Sequence, residues 1–106
     1  MSTRDLVKLL EKKLGPPTFG GFLRSIRTMN DLTQAEMAKK IGFSKSSICD
    51  IEKGRQFVSI ELAAKIAKKF DVSEAYAIQC VISDSIRRAG LKFEITIKKQ
   101  HIKKAA

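Results

Sequence analysis

Apolar residues recur every three or four positions over most of the chain, which predicts an all-α protein. The first helix is predicted from about residue 2 to Leu14, where Gly15-Pro16-Pro17 ends it. A second helix should run from a cap at Thr18 to about Met29. The pair Gly20-Gly21 near its start has no neighbouring strand or lysine that would make it a phosphate loop. We therefore expect close helix packing there.

The middle of the chain, LTQAEMAKKIGFSKSSICDIEKGR (residues 32–55), predicts two short helices joined by a tight turn. Thr33 and Glu36 have the spacing of a capping box. Gly42 suits the left-handed backbone at a helix end, and Ser44 can cap the second helix. That helix begins with small and polar residues, as a helix that enters a DNA major groove requires. The alternative is a plain helical hairpin whose second helix is solvated.

Two more helices follow, from Ser59 to Phe70 and from Ser73 to about Ala89. After Gly90 the hydrophobic pattern changes from a helical period to a period of two. Apolar and polar residues alternate over residues 91–98, which predicts a half-buried strand. No second strand pattern exists, so the partner strand must come from another chain. We expect antiparallel pairing with the same strand across a symmetric dimer. The apolar face of that strand is Leu91, Phe93, Ile95 and Ile97.

The stretch over residues 32–55 resembles the Xre family of phage-repressor and Cro-like DNA-binding domains. The residues that carry the resemblance are Gln34 after "LT", Ala38, Gly42, the serine-rich helix start and "IEKGR" at residues 51–55. The similarity covers about residues 19–81. It implies a compact five-helix domain that binds operator DNA, usually as a dimer. The expected organisation is an N-terminal helix and linker (1–17), the helix-turn-helix domain (18–89) and a dimerisation strand with a basic tail (90–106).

The resemblance also implies roles for single residues. Gln34 should contact the DNA backbone, and Ser44 should clamp a second phosphate, cap its helix, or do both. Lys45 and Ser46 are the candidates for contacts to base edges. Lys53 and Arg55 should contact phosphates. The full set predicted to bind DNA is Gln34, Ser44, Lys45, Ser46, Cys49, Asp50, Lys53 and Arg55.

Two positions in this set have alternatives. Asp50 can accept from the N4 amino group of cytosine, or it can pair internally with Lys53 or Arg55. Cys49 replaces the polar residue more usual in the family, which weakens the case for base reading there. The family further pairs an arginine of the first domain helix with a glutamate of the recognition helix. Arg27 and Glu52 occupy those two positions in this chain.

The net charge of the chain limits the kinds of molecule that it is expected to bind. Lysine and arginine total 21 against 11 acidic residues, which gives a net charge of +10 and favours a polyanion such as double-stranded DNA. No apolar run approaches the roughly 20 residues of a bilayer span. Residues 1–14 lack the apolar core of a signal peptide, so we expect a cytoplasmic protein without membrane contact.

No catalytic, metal-binding or cofactor motif is visible. The single histidine, His101, has no carboxylate nearby in sequence, and two cysteines are too few for a disulfide framework or a zinc site. An enzyme is therefore the least favoured class. Two classes remain: a dimeric transcriptional repressor, and an antitoxin of a type II toxin–antitoxin pair that binds a toxin through its terminal segments and represses its own operon.

Overall fold

The computed structural model describes residues 17–98 and residue 100. The predicted N-terminal helix and nearly all of the predicted basic tail lie outside these residues. The described regular structure is entirely helical, as predicted for residues 18–89 but not for residues 91–98. None of these helices is long and apolar enough to cross a membrane. The helices are α1 (Phe19–Met29), α2 (Gln34–Ile41), α3 (Lys45–Glu52), α4 (Ile60–Lys69) and α5 (Glu74–Arg88).

The chain divides between Gln56 and Phe57 into two compact units. The first unit contains α1, α2 and α3, and the second contains α4 and α5. The predicted domain boundaries at residues 17/18 and 89/90 stay a prediction.

Every described helix begins at a polar residue whose side chain accepts a hydrogen bond from the backbone N–H three positions later. The capping box is confirmed, because the N–H of Thr33 donates to Glu36 Oε1 at 3.0 Å and the N–H of Glu36 donates to Thr33 Oγ1 at 3.1 Å. The bond from the Thr33 backbone lowers the pKa of the Glu36 carboxyl. The five N-caps are Thr18, Thr33, Ser44, Ser59 and Ser73.

The turn between α2 and α3 depends on Gly42. Its φ is +78°, a left-handed conformation that glycine adopts without the strain a Cβ atom would bring. The N–H groups of Gly42 and Phe43 both donate to the carbonyl of Ala38, which completes the end of α2. The predicted tight turn is therefore confirmed, and it brings α3 against α2 within the first unit.

The core of the first unit lies around α3, which packs against both α1 and α2. Ile48 and Ile51 supply the buried face of α3 and are 0% and 2% exposed. Because both isoleucines point inward, the opposite face of α3 is left for solvent or for a partner. The other buried apolar residues of this unit are Phe19, Leu23, Ile26, Met37 and Ala38.

Gly20 lies where α1 approaches the end of α3. A Cβ atom on Gly20 would stand only 2.3 Å from the carbonyl oxygen of Ile51 and 2.9 Å from that of Glu52. The prediction of close helix packing is thus confirmed for Gly20. It does not hold for Gly21, which is exposed and whose added Cβ would meet only Thr18 Oγ1, at 3.1 Å.

A bidentate ion pair joins α1 to the last residue of α3. Nε of Arg27 lies 2.8 Å from Glu52 Oε2, and a terminal nitrogen lies 3.2 Å from Glu52 Oε1. The other terminal nitrogen of Arg27 donates to the carbonyl of Leu32 at 2.9 Å. The two charged side chains are only 16% and 5% exposed, and Glu52 raises the pKa of Arg27.

In the second unit, α4 packs against α5, and apolar side chains are buried between the two helices. Burial raises the pKa of the Cys80 thiol to about 11, so this thiol stays protonated and unreactive at neutral pH. At the end of α5, the guanidinium carbon of Arg88 stands 3.6 Å from the centre of the Phe57 ring. The buried residues are Ala63, Ile66, Ala67, Ala77 and Cys80.

Residues 91–98 do not form a strand within the single chain. A strand requires a neighbouring strand to complete its hydrogen-bond ladder, and the described residues contain none. The segment is instead held by a bond from Gln79 Nε2 to the carbonyl of Ile95, at 3.3 Å. Leu91 and Phe93 remain 52% and 70% exposed, whereas Ile97, like Ile95, is half-buried.

The Arg27–Glu52 pair gives the first stability prediction. Glu52→Ala should cost about 3–5 kcal/mol in the free energy of unfolding, because it leaves the guanidinium of Arg27 with little solvent and no counter-charge. Denaturant unfolding of both single variants and of Arg27→Ala/Glu52→Ala measures the coupling. The double variant should be clearly more stable than the sum of the single losses predicts. Strictly additive losses would contradict an interaction between the two side chains.

The second stability prediction concerns Gly20. Gly20→Ala should destabilise the protein by about 1–3 kcal/mol or more, because the methyl group forces two backbone carbonyls away from α1. Gly21→Ala is the matched control, since the same methyl group there gains helix propensity and meets only one hydroxyl. Gly20→Ala should have a clearly lower melting temperature than Gly21→Ala in thermal unfolding. Equal melting temperatures would show that α1 and α3 can move apart at no cost.

Candidate nucleic-acid interface

The outward face of α3 collects most of the predicted DNA-binding residues. Because Ile48 and Ile51 are buried, helical geometry places the polar positions three and four residues apart on the opposite side. Lys45 and Ser46, in the first turn, are exposed and make no polar contact with any other described residue. They are therefore available to a ligand. The face comprises Lys45, Ser46, Cys49, Asp50 and Lys53.

Ser44 is already engaged at the start of α3. Its Oγ accepts from the N–H of Ser47 at 3.0 Å and donates to Ser47 Oγ at 3.1 Å. The capping role considered from the sequence is thus present in the free protein. To donate to a phosphate, Ser44 must turn its hydroxyl hydrogen away from Ser47, while the cap itself uses a lone pair and can persist.

Gln34 is the first residue of α2 and is half-buried. Its Nε2 donates to Glu52 Oε1 at 3.3 Å, so the side chain is attached to the Arg27–Glu52 pair. Sequence reasoning missed this bond, because a sequence separation of 18 between the two residues gives no periodic signal. One amide hydrogen and the amide oxygen of Gln34 remain for another partner.

Asp50 and Arg55 meet at the end of α3. Arg55 Nε lies 3.4 Å from Asp50 Oδ1, and the two side chains are 61% and 45% exposed, in that order. The backbone N–H groups of Arg55 and Gln56 both donate to the carbonyl of Asp50, at 2.8 and 3.2 Å. Of the two internal partners considered for Asp50, the structure places Arg55 beside it. Lys53 has no ion pair with any described residue.

Cys49 and Lys53 complete the outward face. Cys49 is half-buried with a free thiol, so its sulfur presents little area to a partner. Lys53 is the C-cap of α3 and is exposed, and its backbone N–H donates to the carbonyl of Cys49 at 3.0 Å. Its ammonium group is free to follow a phosphate backbone.

The chemistry of this face is that of ligand binding. It offers ammonium and hydroxyl donors, and the flanking Arg55 and Gln34 add guanidinium and amide donors, all of which suit phosphate oxygens and the acceptors on base edges. Within residues 17–98 and 100, no three His, Cys, Asp or Glu side chains lie close enough to hold a metal ion.

Comparison with known proteins identifies the same region. The family described as helix-turn-helix matches residues 23–76, about half of the chain. An uncharacterized HTH-type transcriptional regulator of Methanocaldococcus jannaschii is 48% identical over 50 residues, which cover 47% of this chain and 76% of that protein. No solved structure matched the chain.

Two further relatives align over most of the chain. Antitoxin PezA of Streptococcus pneumoniae is 34% identical over 84 residues, 79% of this chain and 51% of the antitoxin. The cryptic phage CTXphi transcriptional repressor RstR of Vibrio cholerae is 36% identical over 80 residues, 76% of this chain and 68% of the repressor. The family match contains α2, its glycine turn and α3. Together with the donor-rich outward face of α3, these similarities show that the chain belongs to the helix-turn-helix family of DNA-binding transcriptional regulators.

Proposed function

We propose that this regulator is a cytoplasmic repressor that binds a palindromic operator as a homodimer, with α3 in the major groove. The observation that carries the proposal is the outward face of α3. Its first turn presents Lys45 and Ser46 without internal partners, while the buried isoleucines hold the helix in place. The first turn of a recognition helix is the part that reaches base edges.

The residues around α3 divide by chemistry into two groups. Gln34, Ser44, Lys53 and Arg55 contact phosphates, since their positions flank the helix or lie at its ends. Lys45 and Ser46 read bases, because Lys45 suits guanine acceptors and a serine hydroxyl can donate or accept. The half-buried Cys49 adds at most an apolar contact to a thymine methyl group.

This division predicts two kinds of variant. Gln34→Ala and Arg55→Ala should weaken binding to all DNA sequences alike, because phosphate contacts carry no base information. Lys45→Ala and Ser46→Ala should change which operator variants are preferred, by about 1–3 kcal/mol for a good contact. Arg55→Ala should also reduce the slope of log K against log salt by about 0.9 for each bound subunit, which is about 1.8 for the dimer, while Gln34→Ala removes no charge and should leave the slope unchanged.

The measurement is binding to a panel of single-base operator mutants at several salt concentrations. The operator is first obtained by selecting from random duplexes with the unaltered protein. If all four alanine variants lose affinity uniformly over the panel, the assignment of base-reading residues is wrong.

Dimerisation is assigned to residues 91–98. Two facts support this: Leu91 and Phe93 are exposed apolar side chains, and the segment has no ladder partner in the described chain. The same segment of a second copy, running antiparallel, would supply those hydrogen bonds and cover the apolar face. Such a pairing has a two-fold axis, which is the symmetry of a palindromic operator with half-sites about 34–36 Å apart.

Truncation after Gly90 tests this assignment. The shortened protein should become monomeric and bind the palindromic operator more weakly, because each half-site is then bound independently. In the full-length chain, Phe93→Lys should do the same, whereas Thr96→Lys adds the same charge on the opposite side of the predicted strand. Mass in solution and operator affinity are measured for all three. A truncated protein that remains a tight dimer with unchanged affinity would exclude this segment as the dimer contact.

A second candidate function is favoured by one specific comparison. The alignment with antitoxin PezA spans 79% of this chain, more than the helix-turn-helix match alone. In this alternative, the terminal segments bind and block a protein toxin, and residues 91–98 add a strand to the sheet of the toxin. The test is co-purification with the product of a neighbouring reading frame. A stable complex that the Gly90 truncation abolishes would support the antitoxin function, and an isolated DNA-binding homodimer would not.

A further inference from the structure

Asp50 is the acidic member of an otherwise neutral or basic face. The other side chains on the outward face of α3 are Lys45, Ser46, Cys49 and Lys53. A carboxylate directed at DNA is repelled by the phosphates, so its presence requires a compensating contact. Reading cytosine would be one such contact. The structure shows another, within the protein.

Asp50 holds the segment after α3 at two points. Its backbone carbonyl accepts the N–H groups of Arg55 and Gln56, at 2.8 and 3.2 Å, which turns the chain back toward the helix. Its carboxylate lies 3.4 Å from Nε of Arg55. Both the backbone and the guanidinium of Arg55 are thereby located relative to α3.

The contact with Asp50 leaves the two terminal nitrogens of the Arg55 guanidinium available to a ligand. Asp50 faces Nε, whereas the four N–H donors on the two terminal nitrogens of Arg55 have no acceptor in the part of the chain that the structure describes. The side chain is 61% exposed. The fork of terminal N–H groups therefore faces away from the carboxylate, and such a fork can bind a phosphate through two parallel hydrogen bonds.

We propose that Asp50 is a positioning residue for Arg55, which it orients toward a DNA phosphate, and that Asp50 does not select a base. The inference rests on the proposed placement of α3 on DNA. Pairing with Arg55 also offsets the charge of the carboxylate, so that its repulsion of the phosphates is reduced. The proposal thus accounts for an acidic residue on a DNA-binding face.

The proposal and simple charge counting predict opposite effects of Asp50→Ala on DNA affinity. Asp50→Ala makes the protein one unit more positive, and charge alone would tighten binding to any duplex. If Asp50 orients Arg55, the same change should weaken binding, because the guanidinium must then be ordered when the complex forms. The weakening should reach up to about fivefold, the most that an exposed ion pair supplies.

The experiment uses the full-length chain and a mixed-sequence DNA duplex, over a series of salt concentrations. Arg55→Ala should reduce the salt slope by about 0.9 for each bound subunit. Asp50→Ala should weaken binding when Arg55 is present, and in the Arg55→Ala background it should no longer weaken binding. Combined with Lys53→Ala, the matched neighbouring cation, Asp50→Ala should act additively. Equal tightening by Asp50→Ala in both Arg55 backgrounds would overturn the proposal.

A second arm separates positioning from base reading. Random duplexes are selected with the unaltered protein and with Asp50→Ala, and the preferred bases are compared at each position. The same preferences are expected from both proteins. Loss of a cytosine preference at one position in the variant would overturn the proposal, because Asp50 would then read that base.

Two controls keep the result interpretable. Thermal unfolding shows whether each variant is folded, and Asp50→Asn replaces Asp50→Ala if the latter is not, since it keeps the shape and removes the charge. An unaltered protein that selects no sequence at all would contradict operator reading, which is the proposed function. The salt series would still decide whether Asp50 acts through Arg55, since it uses duplexes of mixed sequence.

Discussion

The first unit depends on one buried charge contact, the pair formed by Arg27 and Glu52. Glu52 ends α3 and is 5% exposed, so its carboxylate would be costly without a counter-charge. Arg27 supplies that charge from α1 and also bonds the carbonyl of Leu32 just before α2. The same carboxylate accepts from Gln34, the first residue of α2. One group of charges therefore links all three helices of this unit.

This arrangement attaches both ends of α3 to the rest of the first unit. At its start, α3 is capped by Ser44, and at its end it is fixed by Glu52 and by the close approach of Gly20. The side chains between these points need no internal polar contacts to keep the helix in place. Among them, the exposed side chains of Lys45 and Ser46 remain free for a ligand.

The sequence predicted the described helices well because their signals are local. Caps such as Thr33 and Ser44, the glycine turn at Gly42 and the apolar stripes each depend on residues within a few positions. Contacts between residues that are distant in sequence could not be predicted from local patterns. The bond between Gln34 and Glu52 and the tie between Gln79 and Ile95 depend on tertiary placement, which periodicity does not reveal.

The terminal segment shows a different limit. Alternation over residues 91–98 predicted a strand that the single chain does not form, because a strand also requires a neighbour, and no local pattern can supply one. For Asp50, residue type left two partners open, and only the path of the chain after α3 brought Arg55 beside it. The resemblance to a family indicated which positions to compare, and the structure shows which of these residues are in contact.

The shortness of α3 has a consequence for how long the protein survives. Eight residues are too few for a helix to be stable in water without the rest of the unit, so the proposed DNA-binding surface exists only in the folded protein. Unfolding and DNA binding therefore exclude each other. Free duplex at a concentration one hundred times the dissociation constant would stabilise the folded state by about 2.7 kcal/mol. Molecules that occupy a binding site are thereby protected from proteases, and the pool of unbound molecules is degraded first.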